Sequence, residues 1–149
     1  RPMSSTIRAV EFKNHRVQVE LALTDDEQAS GLSGRTAPGS DEGMLFLYAN
    51  PRLPAFWMKD MNFPIDIIWI RDRRVIDLTE NAPVPKLGQR LPLYRPKEEA
   101  DAVLEVEAGF AKANDLVIGT EVGYFCAEAG PSPRQAGSGQ GIDERLTQC

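Results

Sequence analysis

The chain has 149 residues, a length that suits a single domain, and its 42% hydrophobic and 26% charged residues are ordinary for a globular protein. Seventeen basic residues against 22 acidic ones give a net charge of −5, which disfavours binding to a nucleic-acid backbone. One histidine and two cysteines exclude a zinc finger, a multi-histidine metal centre and a dense disulfide scaffold. No apolar run approaches the roughly 18 residues of a transmembrane helix.

The first predicted elements are a β-hairpin and a short helix. Residues 16–23 alternate between apolar and polar side chains, which predicts a strand with one buried face, and residues 7–12 predict its hairpin partner. Thr24 and Glu27 then fit a capping box. We expect a helix from there to about residue 30, where Gly31 can end it.

The rest of the chain predicts more strands, a long loop and one further helical segment. Residues 81–97 contain four prolines and are expected to form an ordered loop, and residues 109–115 predict one or two helical turns. Six short segments predict strands: 43–48, 56–58, 65–70, 74–79, 102–106 and 121–127.

These elements indicate a mainly β domain of seven or eight short strands and two short helices, closed as a barrel or folded as a sandwich. We expect this domain to occupy residues 1–127. Residues 128–149, rich in Gly, Pro and Ser, are expected to form a flexible tail. Cys126 and Cys149 are either unrelated thiols or a disulfide, which would stabilise the fold by roughly 3 kcal/mol.

Seven segments along the chain share an order and spacing with one known family: Glu20–Ala22 with Thr24, Gly31–Leu32 with Arg35, Gly43–Phe46, Phe56–Lys59, Pro64–Ile67, Val103–Val106 and Ala108–Gly109. Together they resemble a bacterial and archaeal family known as domain of unknown function 192 (DUF192). Ser33 and Asp60 depart from its usual pattern, which has methionine and asparagine there. The resemblance implies a mostly β domain that often follows a secretion or lipoprotein leader, and it implies no reaction.

We therefore expect a periplasmic or extracellular protein. The chain starts at Arg1 rather than methionine, and we expect either that a leader has been removed or that the chain has been truncated.

The segment Trp57–Met61 is the first candidate ligand site. As a strand it would place Trp57, Lys59 and Met61 on one face and the other two residues on the opposite face. An exposed tryptophan beside a lysine suits an anionic or sugar ligand. The alternative is that Trp57 packs in the core and Lys59 is solvated at its rim.

Three methionines offer a second, weaker hypothesis. Met44, Met58 and Met61 could form a soft thioether site for Cu(I). Methionine is also a common core filler, and this is the preferred interpretation.

Asp66 is the most anomalous residue, because it lies within the apolar run of residues 65–70. Arg35 is its natural partner by residue type, since a guanidinium can hold a carboxylate with two hydrogen bonds. The pair would be either a structural ion pair or part of a ligand pocket. Glu105 is expected on the solvated face of a strand. With Asp66 or Asp60 it could form the two-carboxylate arrangement of a glycosidase.

Two functions remain open. The preferred one is a secreted or envelope-associated ligand-binding or accessory module without its own catalysis, expected to be a monomer that uses no metal or cofactor and binds a small molecule or glycan. The alternative is a glycan-directed hydrolase that uses Asp66 and Glu105. The candidate ligand-binding residues are Arg35, Trp57, Lys59, Asp66 and Glu105.

Overall fold

A computed structural model describes residues 5–128, and this region contains seven strands and two short helices. The helices are α1 (Asp25–Ser30) and α2 (Phe110–Ala113). The strands are β1 (Ser5–Phe12), β2 (His15–Ala22), β3 (Glu42–Arg52), β4 (Ile65–Arg71), β5 (Arg74–Ala82), β6 (Ala100–Glu107) and β7 (Val122–Glu128).

All seven strands belong to one mixed sheet in the order β5-β4-β6-β3-β2-β1-β7. Only β2 and β3 pair in parallel, and every other neighbouring pair is antiparallel. The predicted mainly β class is confirmed.

The two edges of the sheet approach each other near the start of β5. The Val75 amide donates to the Thr120 carbonyl at 2.9 Å, and the Val122 amide donates to the Arg73 carbonyl at 2.9 Å. An isolated antiparallel bridge joins Arg74 to Glu121. The sheet is therefore curled, but no continuous ladder between β5 and β7 closes it into a barrel.

Side chains of the central strands β3, β4 and β6 are buried on both faces of the sheet. One face carries the first core cluster, which includes Leu45, Ile68, Leu104 and Phe110. The opposite face carries the second core cluster, whose larger members include Phe46, Phe56, Met58 and Trp69. Because neighbouring residues of a strand point to opposite faces, each residue in the buried middle of β6, from 102 to 106, must face one cluster or the other.

Helix α1 is held by the predicted capping box. The Thr24 hydroxyl accepts the Glu27 amide at 3.1 Å, and the Glu27 carboxylate accepts the Thr24 amide at 3.1 Å. Gly31 ends the helix with a φ of +48°, a conformation that L side chains rarely adopt. The Gln28 side chain donates to the carbonyls of Ala22 and Leu47 at 3.1 Å each, which docks α1 onto the end of β2 and the middle of β3.

Two predicted features of the middle of the chain are wrong. Residues 56–58 form no strand, only an isolated bridge between Phe56 and Tyr94. The segment instead makes a turn in which the Met61 amide donates to the Met58 carbonyl at 3.2 Å and Asp60 has a φ of +59°. This turn buries both Met58 and Met61, so the predicted alternation of faces does not exist.

Strand β3 continues past its predicted end at residue 48, through an irregular register between Leu47 and Arg52. Within residues 5–128, neither helix has the length and apolar character that a membrane-spanning helix needs. The predicted tail and Cys149 lie outside the described residues. The flexibility of the tail stays a prediction, and both alternatives for Cys126 and Cys149 stay open.

Candidate functional site

Glu105 lies at the centre of the candidate site. It stands on β6 directly opposite Met44 of β3 and Ile67 of β4, on the face of the second core cluster. It is only 5% exposed. The predicted position on a solvated face is wrong, because β6 is a central strand with both faces covered.

Burial raises the pKa of the Glu105 carboxyl to about 8. Its Oε2 atom is buried and has no hydrogen-bond partner in the structure. The carboxyl is therefore mainly protonated at neutral pH. An unsatisfied buried polar group costs about 1–3 kcal/mol, so the Glu105 side chain destabilises the folded state.

Gly31 separates the Glu105 carboxyl from a small surface cleft. A Cβ at Gly31 would lie 3.6 Å from Glu105 Oε2 and 3.5 Å from Phe46 Cζ. The cleft has a volume of about 230 Å³. Its lining includes Glu20, Asp26, Glu27, Gly31, Arg35 and Met44.

Arg35 and Glu20 both line this cleft and form an ion pair through both terminal nitrogens of the guanidinium. Its hydrogen bonds to Glu20 raise the pKa of Arg35 above the ordinary value. The predicted pairing of Arg35 with Asp66 is wrong. The Arg35 segment follows Leu32 on the face of the second core cluster, whereas Asp66 points into the other face.

A larger cleft of about 690 Å³ adjoins the small one, and Glu20 and Arg35 line both. Its other charged lining residues are Arg8 and Glu42, so basic and acidic groups are balanced there. The Arg35–Glu20 ion pair thus forms a wall that the two clefts share.

Trp57 and Lys59 lie on an exposed loop beside the same segment. Trp57 is 48% exposed, so the alternative in which it packs in the core is wrong, and the Lys59 Nζ lies 5.3 Å from the centroid of its ring. The Ser33 hydroxyl donates to the Lys59 carbonyl at 2.9 Å. The Asn62 side chain donates to the Arg35 carbonyl at 3.1 Å. These bonds fix the loop against the segment that carries Arg35.

Asp66 is satisfied entirely by backbone groups. Its Oδ1 accepts the amide of Asn81 at 2.8 Å, where β5 leaves the regular ladder and Asn81 has a φ of +53°. Its Oδ2 accepts the amide of Ala111 at 2.9 Å, in the first turn of α2, whose N-cap Gly109 supplies no side chain. Asp66 therefore joins a bulge to a helix terminus.

The two buried carboxyls do not share a cleft. Asp66 stands opposite Val106 and Glu105 stands opposite Ile67, so their side chains leave the sheet on opposite faces. The arrangement that a glycosidase requires is not formed by this pair. The structure thus places the loop of Trp57 and Lys59 against the segment that carries Arg35. It sets Glu105 behind Gly31, outside both clefts, and it leaves Asp66 apart.

The three methionines considered for Cu(I) all belong to the second core cluster, together with Phe46, Phe56 and Trp69. This placement favours core filling. Among residues 5–128, no group of three or more His, Cys, Asp or Glu side chains is arranged to hold a metal ion.

A comparison with known protein families confirms the resemblance that the sequence indicates. The model of the DUF192 family, described as an uncharacterized ACR, matches residues 7–124. The chain belongs to this family.

Two solved structures resemble this member of the DUF192 family. A protein of unknown function from Novosphingobium aromaticivorans DSM 12444 is 35% identical, with a TM-score of 0.71 over 78% of this chain and 84% of that one. A Sinorhizobium meliloti 1021 protein with the provisional name of a transcription regulator is 27% identical, with a TM-score of 0.72 over 83% of this chain and 98% of that one. No curated protein matches the sequence.

Sequence reasoning missed Glu20 and Gly31 as site residues. Both stand in segments that carry the family resemblance, but their sequence context does not show that Glu20 pairs with Arg35 or that Gly31 touches Glu105. These contacts arise from the docking of α1 against β2 and β3.

The first prediction concerns Glu105 and pH. The folded protein holds a proton up to about pH 8 that the unfolded chain loses near pH 4.5. The free energy of unfolding contributed by this group therefore falls as pH rises through that window. Relative to Glu105→Gln, the wild type should lose on the order of 3 kcal/mol between pH 5 and pH 8, measured by urea unfolding. Parallel pH profiles of the two proteins would contradict the buried, protonated carboxyl.

The second prediction concerns Asp66. The substitution Asp66→Ala leaves two backbone amides without acceptors and should lower the free energy of unfolding by roughly 2–4 kcal/mol in urea. Asp66→Asn keeps one acceptor oxygen and should lose less. The exposed loop residue Glu98 gives a matched control, since Glu98→Ala should change stability by less than about 0.5 kcal/mol. A loss as small for Asp66→Ala as for the control would refute the structural role.

Proposed function

We propose that the protein is a secreted or envelope-associated ligand-binding or accessory module without its own catalysis. Its ligand, a small polar molecule or a short glycan, occupies the two adjoining clefts at the Arg35–Glu20 ion pair. The observation that supports this proposal is the convergence of both clefts on that ion pair.

The size and lining of the larger cleft suit a small ligand. Its volume of about 690 Å³ falls within the roughly 300–1,000 Å³ common for ligand pockets. Arg8, Arg35, Glu20 and Glu42 provide donors and acceptors of both charges along its wall. Such a lining favours a ligand with several polar groups.

The exposed loop offers an additional contact surface. The ring of Trp57, with Lys59 beside it, can stack on an apolar face of a sugar while the ammonium group donates hydrogen bonds. Since the loop is bonded to the Arg35 segment, a ligand that extends from the clefts can reach it.

The expected location rests on the leader that often precedes this family. Fractionation of cells that produce the complete natural precursor should place the protein outside the cytoplasm, and recovery only with cytoplasmic markers would contradict this expectation. The provisional name of the Sinorhizobium relative is not extended to this chain, because a net charge of −5 lacks the basic excess that DNA binding requires.

The third prediction tests the clefts. A thermal-shift screen of polar metabolites and oligosaccharides should find a stabilising compound, and its binding should be weakened at least tenfold by Arg35→Gln, which removes the guanidinium from both clefts. Arg95 is an exposed loop residue outside the described clefts, so Arg95→Gln should bind normally.

Two outcomes would overturn the proposal. One is a screen without a saturable hit. The other is a hit whose affinity is the same in wild type and Arg35→Gln. Weaker binding by Trp57→Ala with unchanged stability would extend the site to the loop.

A further inference from the structure

We infer that residues 52–59 and 83–97 form a docking surface for an anionic lipid membrane, here called the basic apolar surface. None of its residues lines either cleft at Arg35, so the inference goes beyond the proposed function and does not depend on it. It starts from apolar and basic side chains that are exposed together, in two segments that contain no acidic residue.

The two segments are the basic part of an acidic chain. They hold six of the 17 basic residues and none of the 22 acidic ones, which leaves 11 basic against 22 acidic residues, a charge of −11, elsewhere. Among residues 5–128, every ion pair lies outside the two segments, so their charge is not neutralised within the described fold. The nearest acidic residues along the chain are Asp60, Glu80 and Glu98. The six basic residues are Arg52, Lys59, Lys86, Arg90, Arg95 and Lys97.

Most of the exposed large apolar side chains lie in the same two segments. Within residues 5–128 eight large hydrophobic side chains are exposed, and five of them belong to the basic apolar surface. Single exposed apolar residues are ordinary, whereas a group of them beside unpaired charges indicates an interaction surface. The five are Leu53, Trp57, Val84, Leu87 and Leu93.

Two backbone hydrogen bonds join the two segments. The Phe56 amide donates to the Tyr94 carbonyl at 2.9 Å, and the Tyr94 amide donates to the Phe56 carbonyl at 2.7 Å, in an isolated antiparallel bridge. Phe56 belongs to the second core cluster, and Tyr94 packs against it. The next residues, Trp57 and Leu93, therefore stand across from each other and point away from the core, where they are 48% and 57% exposed.

Leu87 projects from the tip of the loop between β5 and this bridge. The Gln89 amide donates to the Lys86 carbonyl at 3.0 Å, and Gly88 has a φ of +81°, which together form a β-turn. The Leu87 side chain is 105% exposed, so it packs against no other part of the described fold. Lys86 precedes it, and Arg90 follows the turn, both exposed. The turn therefore holds a leucine out in solvent between two cations.

This combination fits a membrane interface better than an acidic protein. A projecting leucine can enter the boundary of the hydrocarbon layer, while lysine and arginine keep their charged ends among the headgroups. Tryptophan favours the same headgroup level. The basic groups attract anionic lipid and orient the protein, because the rest of the chain is repelled. An acidic protein would account for the charges but would have to supply a pocket for Leu87.

Co-sedimentation with large unilamellar vesicles tests the inference. The purified 149-residue chain should bind phosphatidylcholine vesicles that contain about 30 mol% phosphatidylglycerol, and it should bind pure phosphatidylcholine at least tenfold more weakly. Raising NaCl from about 50 to about 500 mM should release most of the bound protein. The fluorescence of Trp57 should shift to the blue on binding. Trp69, the only other tryptophan, is buried, so Trp57→Phe should remove the shift.

Two variants separate the apolar and basic contributions. Leu87→Ser should weaken binding to the anionic vesicles at least fivefold, and Lys86→Gln combined with Arg90→Gln should weaken it at least tenfold. All three residues are exposed, so circular dichroism and urea unfolding should match the wild type. Ile118→Ser and Lys112→Gln remove an exposed apolar and an exposed basic group outside the surface, and both variants should bind as the wild type does.

The inference is overturned by an absence of binding to the anionic vesicles, by equal binding of the two lipid compositions, or by equal binding of Leu87→Ser and the wild type. Binding to soluble poly-L-glutamate without binding to vesicles would assign the charges to an acidic protein and would refute the membrane surface. Arg35→Gln should bind vesicles as the wild type does, because Arg35 lies outside the surface. Failure with vesicles therefore leaves the proposed ligand site standing, and failure of the compound screen leaves this inference standing.

Discussion

The candidate site depends on one constraint, the burial of both faces of β6. A residue at the middle of this strand can point only into one of two apolar layers, and Glu105 points into the second core cluster. Strand β3 packs closely against β6 beside this residue, because a Cβ at Gly43 would lie 2.7 Å from the Glu105 carbonyl oxygen. The carboxyl therefore avoids the cost of a buried charge by keeping its proton.

The two buried carboxyls, of Asp66 and Glu105, differ in their hydrogen bonding. Asp66 and Glu105 lie on adjacent strands, but Asp66 has a backbone amide for each oxygen, and Glu105 has an oxygen with no partner. Asp66 accepts backbone amides at two irregular places in the fold, the bulge in β5 and the uncapped N-terminus of α2. Glu105 has no comparable structural role among the described residues. Gly31 separates its carboxyl from the small cleft. A buried polar group that destabilises the fold and has no partner in it is a reason to look for a ligand.

The sequence predicted what depends on local chemistry. The hairpin of β1 and β2 follows from alternation, and α1 follows from the pairing of Thr24 with Glu27 within one turn. The family resemblance could also be seen in the sequence, because it rests on short segments whose residues are close together along the chain. Fold class followed from the number and shortness of the strands.

The contacts of the site were beyond such reasoning. Alternation along β6 shows which residues share a face, but not that both faces are covered, so Glu105 was expected in solvent. Arg35 was assigned to Asp66 by residue type, whereas the parallel pairing of β2 with β3 and the docking of α1 place Glu20 beside it. Residues 56–58 were predicted as a strand, whereas the turn that they enter is held by hydrogen bonds to a segment more than 20 residues away.

The most direct measurement is a pH titration of the Glu105 carboxyl carbon by ¹³C NMR, assigned by its absence from the spectrum of Glu105→Gln. A buried carboxyl without a protein partner should titrate with a midpoint near 8. A midpoint near the ordinary value of 4.5 would mean that the group is solvated or already paired, and would contradict the account of the site.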